Sequence, residues 1–260
     1  MTSPFGLPRP GLRPSPIFLA VLALAVGSGV VLWAAVQDSR TTRFAALIFV
    51  LSAWVVSLCL HEFAHAFLAW RFGDHEVEAR GYLTLNPLKY THPVLSILLP
   101  VVFIALGGIG LPGGAVYLHP HRFRTSTQRM LVAVSGPLVN AAAAIVLLTL
   151  THSAIDSTTH GYFWLSMAFL GQLQLMAALL NLLPIPGLDG YGAIEPYLDP
   201  SFQRNAEQLK PWGMIIVFAL LQVDSVNRGF FDVVNWLFER FGLPSIIAGL
   251  GHELIKFWAL

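Results

Sequence analysis

The chain has 260 residues, of which 55% are hydrophobic and only 11% are charged, and its mean hydropathy is +0.66. A soluble globular domain normally carries about a quarter charged residues, so this composition argues against one and indicates a membrane protein. The net charge of +1, without any basic run, argues against nucleic acid as a main partner. The single cysteine, Cys59, excludes an internal disulfide framework and a zinc site of paired cysteines.

Apolar runs recur along the chain. The first, residues 17–36, has 20 residues, which exceeds the roughly 7–15 residues of a signal-peptide core, so it predicts a retained first membrane helix. The others lie at 44–72, 94–111, 130–150, 162–183 and 212–223. A helix needs about 20 apolar residues to cross a hydrocarbon core, and the longer runs reach that length. The sequence therefore predicts an all-α membrane protein, a polytopic bundle of about six transmembrane helices.

No linker in the chain is long enough to separate a soluble domain, so we expect one membrane-embedded domain over residues 1–260. Its middle, residues 44–200, follows the N-terminal helix 17–36. The C-terminal part, residues 211–260, has apolar faces interrupted by charged residues. This pattern is typical of amphipathic helices that lie at a membrane surface or against a bundle.

Lys and Arg residues are distributed unevenly between the segments that flank the apolar runs. They occur before the first run, after the second, between 112 and 129, and after the fifth, whereas the loop 151–161 has none. Because cytoplasmic loops carry the excess of positive charge, we expect a cytoplasmic N-terminus. These segments can all lie on the cytoplasmic side only if the run 94–111 enters and leaves the membrane from that side. Arg40 and Arg43 would then lie on the outer side, which argues against this topology. The proline and glycines of 94–111 fit a re-entrant segment, and a plain spanning helix fits as well.

A short box of ionisable residues interrupts the second apolar run. His61 and His65 are four residues apart, so on a helix they project from one face and can bind one metal ion, with Glu62 beside them. This is the H-E-x-x-H spacing, in which two imidazoles bind zinc and the glutamate is the general base. Ionisable groups at bilayer depth cost about 2–3 kcal/mol or more each when unpaired. That cost favours a metal site over histidines that only hydrogen-bond neighbouring helices.

A catalytic zinc generally takes three protein ligands, and Asp189 is the best candidate for the third. It follows an apolar helix that Pro184 and Pro186 break, and Gly187 and Gly190 permit a tight turn there. With a cytoplasmic N-terminus, this helix and the one bearing the histidines both run inward, so the three ligands can meet. The alternative is an aspartate that only caps a helix or closes a turn.

Three motifs, in matching order and spacing, resemble those of the site-2 proteases, the intramembrane zinc metalloproteases of regulated proteolysis. They are the box from His61 to His65, Ser135-Gly-Pro-Leu-Val-Asn140, and the segment from Asn181 to Gly190. The likeness makes residues 44–200 the catalytic core. It implies His61, His65 and Asp189 as the ligands of one zinc ion per chain, Glu62 as the catalytic base and Asn181 near the site. Asn140 would bind substrate or only pack its helix.

The segment Gly81-Tyr-Leu-Thr-Leu-Asn-Pro87 resembles one found in bacterial members of the family that lack an accessory soluble domain. Residues 75–85 also alternate partly like a strand, which predicts a small β-hairpin whose edge could pair with an unwound substrate. Gly81, Tyr82 and Leu83 would then bind substrate. A hairpin in the cytoplasm without this role fits the pattern equally.

We therefore expect an integral, multi-pass enzyme of the bacterial cell membrane that hydrolyses peptide bonds of transmembrane proteins or peptides. A zinc-activated water would attack and Glu62 would accept its proton. Asn181 would donate a hydrogen bond to the developing oxyanion or hold the substrate backbone. Its partners would be that substrate and the lipid bilayer. The alternative is a membrane metal-binding or transport protein without hydrolytic activity, because intramembrane His and Asp residues also line ion pathways.

Overall fold

The computed structural model describes residues 13–90, 123–154 and 159–258, and this part of the chain is almost entirely helical. In chain order the helices are α1 (Pro16–Ala34), α2 (Arg40–Arg71), α3 (Glu76–Ala79), α4 (Ser126–Ala154), α5 (Gly161–Asn181), α6 (Asp189–Ile194), α7 (Pro200–Glu207), α8 (Gly213–Leu221), α9 (Asp224–Glu239) and α10 (Ser245–Leu254).

Four of these helices, α1, α2, α4 and α5, are long and apolar enough to cross a membrane. A fifth crossing is counted if Lys210–Leu221 and Asp224–Glu239, which meet at a bend of 94°, form one broken span. The prediction of an all-α membrane protein is therefore confirmed. The predicted number of about six spans is not reached within the described ranges, and the run 94–111 lies outside them.

The long helices begin where hydroxyl side chains satisfy their first amide groups. Ser15 Oγ accepts a hydrogen bond from the Phe18 amide, and Ser39 Oγ accepts one from the Thr42 amide. These are N-caps, which supply partners for amides that have none inside the helix. Pro16, at the first position of α1, also suits that position because its fixed φ is helical.

Helix α2 lies at the centre of the bundle and packs against α1, α4 and α5. Val50 and Trp54 of α2 belong to the same buried apolar cluster as Leu170 and Leu173 of α5. In contrast, most of α1 faces outward, and its exposed side chains, such as Leu24 and Val30, are apolar. Apolar exposure on this scale suits a helix in contact with lipid tails rather than water.

The predicted β-hairpin at 75–85 is wrong, because the described residues contain no strand there or elsewhere. The segment forms the short helix α3 and two 3₁₀ turns, Tyr82–Thr84 and Pro87–Lys89. Two residues in the left-handed region, Gly81 (φ 79°) and Leu85 (φ 56°), turn the chain before an extended strand can form. An ion pair between Arg80 and Glu76, four residues apart at 2.6 Å, also favours the helix.

Candidate metal centre

The two histidines of the H-E-x-x-H box lie side by side on α2 and are buried. His61 Nε2 and His65 Nε2 are 3.1 Å apart. Residues four apart on a helix lie on the same face, so the backbone of α2 alone brings the two rings together. Both nitrogen atoms point at the same small volume between α2 and its neighbours.

Asp189 reaches this volume from a distant part of the sequence. It is the first residue of α6, directly after the turn in which Gly187 adopts a φ of 97°. Its Oδ2 atom lies 3.2 Å from His61 Nε2 and 3.4 Å from His65 Nε2. The side chain is 25% exposed, but this Oδ2 atom is itself buried. A carboxylate oxygen and two imidazole nitrogens therefore converge on one point.

The size of this triangle fits a zinc ion. Its three sides measure 3.1, 3.2 and 3.4 Å. Ligand atoms about 2.0–2.1 Å from a tetrahedral zinc ion are separated by about 3.3 Å, and two histidines with one carboxylate are a ligand set of catalytic zinc sites. Among the described residues, His61, His65 and Asp189 are the group of His, Cys, Asp and Glu side chains that could hold a metal ion.

A hydrogen bond to α4 orients His65 towards this point. His65 Nδ1 lies 2.7 Å from the carbonyl oxygen of Val132, which can only accept, so Nδ1 carries the proton. In the neutral ring the Nε2 lone pair is then free to bind a cation. Ser135 Oγ donates to the same carbonyl at 2.7 Å and lies 3.4 Å from Nδ1. Groups that hydrogen-bond a metal-binding histidine, without binding the metal themselves, fix its tautomer and the orientation of its ring.

Gly136 on α4 closes the volume from the opposite side. A β-carbon at this position would lie 2.5 Å from His61 Nε2 and would also collide with His65 Nε2. Only a residue without a side chain therefore leaves space for an ion against the two nitrogen atoms. The sequence carries a signal for this contact, since the Ser135-Gly136-Pro137 motif places a residue without a side chain within a long apolar helix.

Glu62 is 2% exposed and lies within α2 beside the two histidines. Successive residues of a helix are rotated by about 100°, so Glu62 borders the ligand triangle without belonging to it. It shares a face of α2 with Cys59 and Ala66, which are three residues before it and four after it.

The other predicted site residues lie on three different elements. Asn181 ends α5 and Asn140 lies in α4 one turn after Gly136, and both are buried. Within the described part of the chain, Asn140 Oδ1 has no hydrogen-bond partner. Gly81, Tyr82 and Leu83 lie at the first 3₁₀ turn.

Tyr82 and Leu83 pack in the cluster that contains Cys59 and Ala66 of α2, so their segment covers the face that bears Glu62. Sequence reasoning missed Tyr90, whose hydroxyl donates to the Cys59 carbonyl at 3.1 Å.

Comparison with known proteins gives relatives that align over most of the chain. A protein of Mycolicibacterium smegmatis named "Putative zinc metalloprotease Rip2" is 52% identical over 252 residues, which are 96% of each chain. A protein of the same name in Mycobacterium tuberculosis is 49% identical to this chain over 253 residues, which are 97% of each chain. The "Putative zinc metalloprotease YwhC" of Bacillus subtilis is 32% identical over 209 residues, 74% of this chain and 86% of that one.

No protein-family model and no solved structure matches the chain with significance. The relatives nevertheless agree with one another in their names, and their alignments cover most of this chain. The family's metal is zinc, which the triangle of His61, His65 and Asp189 fits in donor type and size. The chain therefore belongs to the site-2 protease family of zinc metalloproteases.

Proposed function

We propose that the chain is an intramembrane endopeptidase that hydrolyses peptide bonds of transmembrane proteins or peptides. It would act as a single multi-pass domain of the bacterial cell membrane, with its N-terminus in the cytoplasm. The convergence of Asp189 Oδ2 on the two Nε2 atoms of His61 and His65 supports the proposal most strongly, because two imidazoles and one carboxylate are a ligand set of catalytic zinc sites.

The chain's residues have distinct parts in this reaction. His61, His65 and Asp189 would hold the zinc ion, which would supply a bound water of lowered pKa and a Lewis acid for the scissile carbonyl. Glu62 accepts the proton of the attacking water and later delivers it to the leaving amine, as general base and then general acid. His65 keeps its Nε2 directed at the centre because Nδ1 is bound to the Val132 carbonyl. Gly136 leaves the space for the ion.

Three further groups would bind the substrate. Asn181, at the end of α5, has an amide group that can donate a hydrogen bond to the oxyanion or to the substrate backbone. Asn140 offers a buried carbonyl oxygen that has no partner among the described residues. Gly81, Tyr82 and Leu83 belong to the segment that covers the Glu62 face of α2, where an unwound substrate would approach the base. The segment is not a strand, so pairing with a sheet edge is not part of this proposal.

The decisive experiment compares the wild type with Glu62→Gln, which has the same shape and lacks the base. Both proteins are expressed in the same bacterial membrane, their zinc content is measured, and the new peptide ends in the membrane proteome are mapped. We expect both to hold one zinc ion and only the wild type to produce cuts within transmembrane segments. Glu239→Gln, at an exposed position on α9, is the matched control and should cleave like the wild type.

Equal cleavage patterns in the wild type and in Glu62→Gln would contradict the proposal. That result would favour the alternative, a membrane protein that binds or transports metal without hydrolysis, because such a protein has no need for a base beside its first metal-binding histidine.

A further inference from the structure

The helix that supplies Asp189 is short and follows a turn that contains two prolines. Helix α6 has only six residues, and the residues before it, Pro184 to Leu188, are not helical. Nothing within so short a helix fixes the carboxylate to a few tenths of an ångström. Metal ligands need such support from their surroundings, because small displacements weaken binding. The neighbours of α6 therefore determine where Asp189 lies.

Before α6, two backbones are in direct contact through a pair of glycines. A β-carbon at Gly213 would lie 3.2 Å from the Cα of Gly187 and would collide with the carbonyl oxygen of Pro186. A β-carbon at Gly187 would in turn collide with the carbonyl oxygen of Lys210. The turn that leads to Asp189 is thus held against the segment Lys210–Gly213, and a side chain at either glycine would force the two apart.

After α6, the same segment makes an ion pair. Lys210 Nζ lies 2.8 Å from Glu195 Oε1, and Glu195 directly follows the last residue of α6. Lys210 Nζ also lies 2.7 Å from Glu207 and 5.9 Å from the centre of the Tyr191 ring, in the middle of α6. Such a pair at a partly buried site restricts the end of a helix more than an exposed pair does.

Apolar packing also connects the turn before Asp189 with the helix that follows Lys210–Gly213. Leu188, the residue before Asp189, belongs to one buried cluster with Leu180 of α5 and with Val217 and Leu221 of α8. Helix α8 begins at Gly213, so the apolar contact continues from the glycine contact along the chain. On its other side α6 lies against α4, where Gly192 approaches Ala133.

From these contacts we propose that the segment Lys210–Gly213 is a positioning element for the metal centre. It holds both ends of α6 and thereby sets Asp189 Oδ2 against His61 and His65. The inference rests on Asp189 as a metal ligand, which is part of the proposed function. It adds a role for a segment that lies outside the three motifs and supplies none of the three metal-binding side chains.

The test compares two glycine-to-alanine substitutions. Gly213 has a φ of −50°, which alanine adopts freely, so the effect of Gly213→Ala comes from the collision with Pro186. Gly229→Ala, within α9 where nothing lies within 4 Å of the added carbon, is the control. Zinc affinity is measured by chelator competition, the visible spectrum of the cobalt-substituted protein reports the ligand geometry, and thermal unfolding of the metal-free protein reports the fold.

We expect Gly213→Ala to weaken zinc binding about 10- to 100-fold, as loss of an outer partner does at other metal sites, and to alter the cobalt spectrum. The metal-free Gly213→Ala protein should still unfold in one cooperative transition, at a somewhat lower temperature because of the backbone collision. Gly229→Ala should match the wild type in zinc affinity and cobalt spectrum, and its metal-free form should be no less stable than the wild type. Unchanged affinity and spectrum in a folded Gly213→Ala protein would overturn the inference, because α4 alone would then hold α6 in place.

A second pair of variants covers the case in which Gly213→Ala does not fold. Lys210→Met removes the ion pair with Glu195 without a backbone collision, and Lys210→Arg keeps the charge. We expect Lys210→Met to bind zinc more weakly than the wild type and Lys210→Arg to bind it about as tightly as the wild type. Equal zinc affinities of Lys210→Met and Lys210→Arg would overturn the inference. Because the measurement is metal binding, a wild type that binds zinc but cleaves nothing would contradict the proposed function and leave this inference standing.

Discussion

Gly136 on α4 lies so close to His65 on α2 that a β-carbon on the glycine would collide with the Nε2 atom that the histidine offers to a metal ion. The two helices also share the hydrogen bond from His65 Nδ1 to the Val132 carbonyl, one helical turn earlier on α4. The first contact keeps the volume open and the second directs the ring into it. Helix α4 therefore shapes the metal centre although it contributes none of the three converging side chains.

Gly136→Ala should abolish stoichiometric zinc binding. The added methyl group would occupy the space beside His61 Nε2 and His65 Nε2, while alanine within a helix is favoured over glycine by about 1 kcal/mol. Loss of metal would therefore not result from a weaker helix. Bound zinc per purified chain is measured by mass spectrometry, with Gly27→Ala, in an open part of α1, as control. Full zinc occupancy in Gly136→Ala would contradict the assigned position of the ion.

Zinc should raise the unfolding temperature of the wild type by several degrees. A ligand that binds only the folded state stabilises it by about 2.7 kcal/mol at a free concentration of 100 times Kd. His65→Ala, which lacks one Nε2 atom of the triangle, should show a much smaller shift. The measurement is thermal unfolding in one detergent with added zinc and with a chelator. The same shift in both proteins would mean that zinc stabilises the fold from another position.

The membrane helices could be predicted from the sequence because a long apolar run in a bilayer must satisfy its own backbone hydrogen bonds, which a helix does. The run 17–36 corresponds to α1 (Pro16–Ala34), and the run 162–183 to α5 (Gly161–Asn181). The second run, 44–72, begins four residues after α2 does, because the polar first turn from Arg40 to Arg43 is helical but not apolar. The H-E-x-x-H spacing likewise fixes the side-by-side position of His61 and His65, since one helix carries both.

Features that depend on contacts between distant segments could not be predicted in this way. The alternating pattern of 75–85 suggested a strand, but the left-handed residues Gly81 and Leu85 and the packing of Tyr82 on α2 decide the local structure. The closeness of Gly136 to the histidines depends on the distance between α2 and α4. A single sequence shows that a small residue is present there, but it does not show what lies opposite.

Asn181→Ala should reduce the rate of substrate cleavage and leave bound zinc near one ion per chain. If the Asn181 amide donates to the oxyanion, its removal should lower kcat by about 10²- to 10³-fold, as for other oxyanion donors. Rates and zinc content are measured on the same preparations, and Asn205→Ala, exposed on α7, is the control. Loss of zinc together with activity would assign Asn181 a structural role at the end of α5.

Tyr90→Phe should destabilise the protein without changing its zinc affinity. Tyr90 is 1% exposed, and its hydroxyl donates a hydrogen bond to the Cys59 carbonyl, which lies on the Glu62 face of α2. Phenylalanine keeps the ring and its packing, so the expected loss is that of one buried hydrogen bond, about 1 kcal/mol. The metal ligands are on another face of α2, and they should therefore bind zinc as before. Thermal unfolding and zinc competition are compared with Tyr197→Phe, whose side chain is 58% exposed. Equal stability of the two variants would show that the Tyr90 hydroxyl does not hold this segment against α2.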